Sequence, residues 1–157
     1  MGVSIVDGTL EEVVIKRHRK LASVYERLMF RLPDGSKKTW TKAVAASDLV
    51  PLLTPGTSGR FYLYTAIDHR GIHGVRLDDG RELYGYPKMN ERASIVIVVA
   101  MGLLMLLTYN VLGYVQWLSA ILFVLGIPMY FLYRNTRVQA ERQYREDQGH
   151  GAAAAGG

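Results

Sequence analysis

The chain contains no cysteine. Disulfide bonds, thiolate catalysis and zinc or iron–sulfur sites built on cysteine are therefore excluded. The sequence also lacks a Walker A loop, a Gly-x-Gly-x-x-Gly fingerprint, a Gly-x-Ser-x-Gly elbow and a His-Glu-x-x-His motif. No pair of acidic residues has a spacing that indicates a general acid and base. We therefore expect a protein that is not an enzyme and that uses no cofactor and no metal.

A second absence is local: the 41 residues from Ala93 to Tyr133 include no Asp, Glu, Lys or Arg. Such a run is typical of membrane-spanning helices. A single helix of this length would reach about 60 Å, against a hydrocarbon core of about 30 Å. Two crossings of about 20 residues fit the run better. The sequence therefore predicts a transmembrane helical hairpin, with a first helix over 93–109, a turn at 110–113 and a second helix over 114–133.

Basic residues lie on both flanks of this run, and the predicted turn carries no charge. Lys88 and Arg92 precede the run, and Arg134 and Arg137 follow it. Loops rich in Lys and Arg stay on the cytoplasmic side of a membrane. We therefore expect a multi-pass protein of the plasma (inner) membrane, embedded in the lipid bilayer, with both termini in the cytoplasm.

Residues 1–87 read as a soluble β-rich domain. Asp-Gly pairs at 7–8, 34–35 and 79–80 are typical of hairpin turns. The alternative at the first pair is a first strand that extends from Lys16 back to Val3 with a kink at Gly8. The strands between these pairs predict a small β-barrel of five to six strands, with one helical turn near Ser47; an open β-meander is the alternative. A linker at 88–92, a polar tail at 134–148 able to continue the second helix, and a disordered Gly/Ala tail at 149–157 complete the chain. The predicted fold class is a membrane-anchored α+β protein.

Two groups of side chains in the β-domain have more than one interpretation. Tyr62, Tyr64, Tyr84 and Tyr86 could form a stacking or peptide-binding platform, and cross-strand aromatic pairs are the simpler explanation. His69 and His73 are the one local pair with a metal-ligand spacing. Because Gly71 separates them, we expect a loop with two solvated histidines and no metal site.

The strongest charge run is Lys16 to Lys20. With the basic residues that flank the apolar run, it predicts contacts with lipid headgroups or another anion, made by Lys16, Arg17, Arg19, Lys20, Arg92 and Arg134. A solvated loop, an anionic protein and a nucleic acid are the alternatives. We expect no nucleic acid, because no aromatic residue is interleaved with the charges for base stacking.

The second predicted helix carries small and polar residues at helical spacing. Such a face packs closely against the first helix or against a second copy of the chain, and it comprises Gly113, Gln116, Ser119, Ala120, Phe123 and Gly126. No charged group lies in the apolar run, so an ion or proton pathway through this chain alone is not expected.

A β-domain followed by a helical hairpin resembles the layout of small bacterial envelope proteins, and no motif transfers a role to any residue. The composition favours a non-enzymatic membrane protein whose cytoplasmic β-domain binds or positions a partner protein. One alternative is an accessory subunit of a transport or secretion complex that acts through the hairpin. The other is an enzyme on a membrane-proximal substrate.

Overall fold

The computed structural model describes residues 2–147. The chain divides into two compact units. The barrel unit comprises Met1–Pro87 together with the chain from Thr136 onward, and the hairpin unit comprises Lys88–Asn135. The predicted Gly/Ala tail at 149–157 lies outside the described residues.

The barrel unit contains six strands. They are β1 (Gly2–His18), β2 (Ala22–Arg31), β3 (Lys37–Ala46), β4 (Ser58–Thr65), β5 (Arg70–Leu77) and β6 (Glu82–Tyr84), with a 3-10 helix (Ser47–Leu52) between β3 and β4. The strands are ordered β3-β2-β1-β4-β5-β6, and β3 also pairs in parallel with β5. This last pairing closes strands β1 to β5 into a barrel and leaves β6 as an extra strand. The predicted α+β fold with a small barrel is confirmed, and the barrel is closed.

The closed strand order β1-β2-β3-β5-β4, with a helical turn between β3 and β4, is that of the OB-fold, a five-stranded Greek-key barrel. A shared fold of this kind does not identify a function, because many unrelated activities occur on one fold. A function must therefore follow from particular side chains and not from the fold alone.

Alternation along the strands places one face of each in the barrel interior. Leu28 and Phe30 of β2 and Phe61 and Leu63 of β4 are fully buried in one core cluster. The rings of Phe30 and Phe61 lie 5.0 Å apart. Side chains two residues apart point to the same side of a strand, so this spacing is what the barrel requires.

Two of the three Asp-Gly pairs lie in turns, and the first does not. Gly35 and Gly80 have φ angles of 81° and 86°, in the left-handed region that glycine favours. Asp7-Gly8 instead lies within β1, where Gly8 pairs with Gly59 of β4. β1 is long enough to pair with β4 through its first half and with β2 through its second half.

Barrel closure depends on a close approach of two backbones at Gly71. A Cβ atom at this position would lie 1.9 Å from the carbonyl oxygen of Val44. Val44 and Gly71 are partners in the parallel β3–β5 ladder. Only glycine fits this position, because any side chain would push the two strands apart.

Two helices follow the strands: α1 (Met89–Leu112) and α2 (Trp117–Glu146). Both are long and apolar enough to span a membrane. α1 continues to Leu112, beyond the predicted end at 109, and the left-handed Gly113 (φ 74°) caps it by donating its N–H to the carbonyl of Tyr109. The connection therefore covers residues 113–116, and the polar segment from Arg134 belongs to the same helix as the apolar segment before it.

Within the hairpin unit, α1 and α2 pack against each other in antiparallel directions. A Cβ atom at Gly102 would lie 3.2 Å from the ring of Phe123, and one at Gly126 would lie 2.7 Å from a methyl group of Val98. The pairs 102–123 and 98–126 run in opposite chain directions, as in a helical hairpin. The end of α2 from Thr136 and the residue after it, Asp147, which together we call the tail segment, belong to the barrel unit.

Candidate interaction surfaces

The predicted basic run forms the exposed tip between β1 and β2. All seven residues from Ile15 to Leu21 are exposed. We call these residues the basic loop. Among residues 2–147, Lys16, Arg17, Arg19 and Lys20 form no ion pair.

Three cations of β2 and β3 form ion pairs with acidic residues of β1. Arg27 pairs with Glu12 at 3.4 Å, and Arg31 and Lys37 both contact Glu11. Both salt bridges to Glu11 lower the pKa of its carboxyl. Lys38 and Lys42 of β3 form no ion pair among residues 2–147, and the basic loop differs from them by holding four unpaired cations within five residues.

The remaining predicted site residues lie in the hairpin unit. Arg92 and Arg134 are exposed, near the start of α1 and within α2. Of the predicted packing face, Ser119 and Gly126 are buried, and Phe123 packs on Gly102 of α1. Ala120 is half-buried, whereas Gly113 and Gln116 lie exposed in the connection. The structure thus brings the central residues of this face against α1 and leaves its first two apart.

The tyrosine face of the barrel is covered by the chain itself. Tyr62 and Tyr64 of β4 point away from the core, yet both are fully buried. The tail segment lies over them: the Tyr144 ring is 4.9 Å from the Tyr62 ring, and Ala140 packs in one cluster with Tyr64. An external stacking platform is therefore not exposed at these residues. No local sequence pattern indicates this cover, because Arg60 of β4 and Asp147 at the end of the tail segment lie 87 positions apart.

A cluster of charged groups holds the end of the tail segment. Arg60 donates to both carboxylate oxygens of Asp147 at 2.9 and 2.8 Å, and the Tyr62 hydroxyl donates to the same carboxylate at 2.7 Å. Arg76 donates to the main-chain carbonyls of Asp147 and of Tyr144, the latter at 3.0 Å. The guanidinium of Arg76 also lies 4.6 Å from the centre of the Tyr144 ring. Arginine donors to the last carbonyls of a helix satisfy groups that have no partner within the helix.

His73 lies at the centre of the covered face. It is not a solvated loop residue, as the sequence predicted, but a fully buried member of β5. The rings of Tyr62, Tyr64 and Tyr84 surround it, with ring centres 6.0 to 6.1 Å away. Burial lowers the pKa of His73 to about 4, and the carbonyl of Ala140 opposes this only partly. A neutral imidazole among tyrosine rings is a packing element under the tail segment.

The prediction failed at His73 because a histidine–glycine pattern near a turn resembles a loop. β5 begins at Arg70, directly after the turn, and Gly71 is required for barrel closure. A strand buried on both faces needs cover on its outer side, and that cover comes from the end of the chain. His69, by contrast, lies before β5 and contacts the carboxylate of Asp68 at 2.7 Å.

An open cleft of about 480 Å³ lies beside the tail segment, lined by Arg76, Glu82, Tyr84, Glu141, Tyr144 and Arg145. Its two carboxylates are both paired: Glu82 with Arg76 at 3.1 Å and Glu141 with Arg145 at 2.6 Å. Each carboxylate of the cleft is therefore already engaged with an arginine. Within residues 2–147, no group of three or more His, Asp or Glu side chains is placed to hold a metal ion.

Comparisons with protein-family models, curated proteins and solved structures found no match to this chain. Fold and surfaces together define a small closed β-barrel joined to two apolar helices.

Proposed function

We propose that this chain is a non-enzymatic integral membrane protein in which two helices anchor a small β-barrel that binds or positions a partner protein at the bilayer. The observation that carries the proposal is the exposure of the helices. No residue in the most apolar 18-residue stretch of α1 is buried, and 17% of the corresponding stretch of α2 is buried. Contiguous apolar surface of this extent is rare on soluble monomers. A lipid bilayer would cover this surface, and both helices are long enough to cross its hydrocarbon core.

The polar side chains of the helices support a lipid environment. Thr108 and Asn110 of α1 donate to the carbonyls of Leu104 and Leu106, one turn earlier, at 3.0 and 2.7 Å. Ser119 of α2 donates to the carbonyl of Gln116 at 2.7 Å. Polar groups in hydrocarbon must find partners within the protein, and bonds to the same helix satisfy them without any neighbour.

The charge pattern supports one topology. Arg92 and Arg134 flank the apolar run, and the connection over 113–116 carries no charge. By the positive-inside rule both ends of the chain lie in the cytoplasm of a bacterial cell, and the connection lies outside. The barrel then faces cytoplasmic partners.

A role for the barrel is favoured over a role for the hairpin face. In the accessory-subunit alternative, Gln116, Ser119 and Gly126 would contact another subunit. Gln116 is exposed, but Ser119 and Gly126 are buried, and Val98 of the same chain packs against Gly126. An enzyme is the least supported alternative, because the carboxylates of the open cleft are already paired with arginines.

A swap of the anchor tests the assignment of partner binding to the barrel. The full chain and a chimera whose residues 93–133 are replaced by an unrelated two-helix anchor are cross-linked in native membranes, and the captured proteins are identified. We expect the same cross-linked protein from both chains. A partner that is lost with the original helices and retained when only the barrel surface is altered would overturn the proposal in favour of the hairpin.

A further inference from the structure

The basic loop combines positive charge with exposed apolar side chains. Ile15 and Leu21 bracket the basic residues, and 47% and 65% of their surfaces are exposed. Large aliphatic groups at the tip of a soluble hairpin have no packing role there. Together with four unpaired cations, they match the chemistry of segments that lie in the interface of anionic membranes.

The backbone of the basic loop is held in place. The main-chain carbonyl of Arg19 accepts a hydrogen bond from the Ser47 hydroxyl at 3.0 Å, and the main-chain carbonyl of Leu21 accepts one from the Ser47 N–H at 3.3 Å. The His18 ring contacts the Ser23 hydroxyl at 2.7 Å. A loop fixed at its base presents its side chains without a large ordering cost on binding.

We propose that the basic loop is a second membrane contact, in which Lys16, Arg17, Arg19 and Lys20 bind the phosphates of anionic lipids while Ile15 and Leu21 enter the boundary with the acyl chains. This inference rests on the proposed function, since the hairpin must first bring the barrel to the bilayer. A single-stranded oligonucleotide is the competing ligand for such a charge cluster. It is disfavoured because the basic loop has no Phe, Tyr or Trp on which a base would stack, and its one imidazole, that of His18, is bonded to the Ser23 hydroxyl.

The absence of cysteine permits a site-specific test in the full chain. Leu21→Cys is labelled with a polarity-sensitive fluorophore, and the chain is reconstituted into vesicles of phosphatidylcholine alone or mixed with phosphatidylglycerol. We expect a blue-shifted emission and quenching by brominated lipid in the anionic vesicles only. Both signals should be lost when Lys16, Arg17, Arg19 and Lys20 are changed to Glu. A label at Asp78→Cys, an exposed position in the β5–β6 turn, is the matched control and should report water in both vesicles.

Other outcomes have distinct meanings. A Leu21 label that reports water in anionic vesicles, or that reports lipid equally in both vesicle types, overturns the inference while the membrane anchor stands. Quenching of the label by an oligonucleotide, without any response to anionic lipid, replaces lipid with nucleic acid as the ligand. A chain that does not enter vesicles at all overturns the proposed function itself, and the inference with it.

Discussion

At the scale of single residues, Asp147 is the best-connected carboxylate of the tail segment. It accepts hydrogen bonds from Arg60 and from Tyr62, and the side chains of Arg60 and Asp147 are only 15% and 20% exposed. Ion pairs shielded from water are weakened little by salt. The pairs Arg142–Glu146 and Arg145–Glu141 of the same segment are more exposed. Asp147 therefore forms a shielded cluster with Arg60 and Tyr62, which we call the clamp, whereas the other ion pairs of the tail segment lie at the surface.

Asp147→Asn should loosen the tail segment. The amide keeps an acceptor for Tyr62 but loses the charge that Arg60 contacts, at a cost of about 1 kcal/mol, or roughly fivefold in the population of the undocked state. Amide hydrogen exchange of residues 137–146 measures this population. The matched control is Glu146→Gln, whose exposed pair should contribute little. Equal exchange in both variants would show that the clamp does not hold the segment.

His73 predicts a dependence of stability on pH. The unfolded chain binds a proton at this imidazole near pH 6.5, whereas the folded chain binds it only near pH 4. The folded state therefore loses stability as the pH falls through this window, by about 3 kcal/mol in total from this group. The facing titratable groups, Tyr62, Tyr64 and Tyr84, stay neutral there, because burial raises the pKa of all three.

The measurement is the free energy of unfolding between pH 7 and pH 4 for the full chain and for His73→Phe. The variant retains an aromatic ring but binds no proton, so its stability should fall less steeply with pH. A His73→Phe chain with the unchanged slope would contradict the burial of a neutral imidazole.

At the scale of elements, the tail segment completes the barrel. Gly74 of β5 leaves room for Tyr144, since a Cβ atom there would lie 2.7 Å from the Tyr144 ring. Thr136 and Ala140 are both buried within this segment. A chain that ends at Asn135 would expose Tyr62, Tyr64 and His73 to water.

This truncation should lower the melting temperature of the barrel. At about 1.5–3 kcal/mol for each large side chain that loses its cover, the loss is several kcal/mol. Near-ultraviolet circular dichroism follows the tyrosine environment during thermal unfolding. The reference is a chain that ends at Asp147, which retains every contact of the tail segment described above. Coincident melting curves for the two chains would show that the barrel is stable without its cover.

The helical pair has its own test. Gly126→Leu inserts a side chain where Val98 leaves no space, and overpacking of this kind costs about 1–3 kcal/mol. Cysteines introduced at positions 103 of α1 and 125 of α2 carry a pair of dyes. As the detergent concentration rises, energy transfer between the dyes should be lost earlier in this variant than in the parent chain, because the helices separate more readily. Val124→Leu, at a position 62% exposed, is the control and should behave as the parent chain. Unchanged separation in Gly126→Leu would mean that these helices do not pack as a pair.

Elements with local signals were predictable from the sequence, and contacts between distant segments were not. Alternation located β2 and β4, and Asp-Gly pairs located the turns at 34–35 and 79–80. Asp7-Gly8 forms no turn, and the alternative of a first strand that continues through Gly8 is the correct one, because glycine also occurs where two strands approach closely, here beside Gly59. Of the candidate site, the exposure of the basic loop followed from its charges. Neither the β3–β5 closure nor the docked tail segment has a local sequence pattern.

At the scale of the whole molecule, the proposed function requires the two apolar helices to cross a bilayer. Their charge-free run, their exposed surfaces and their internally bonded polar side chains all fit this environment. The partner proposed for the barrel and the lipid contact proposed for the basic loop both require it.

Labelling of single cysteines from one side of the membrane tests this claim most directly. Tyr114→Cys lies in the connection between the helices, and Asp78→Cys lies in the barrel. In intact spheroplasts, a membrane-impermeant maleimide should label position 114 at once and position 78 only after permeabilisation. Labelling of both positions from the outside, or recovery of the intact chain in the aqueous phase without detergent, would contradict the account.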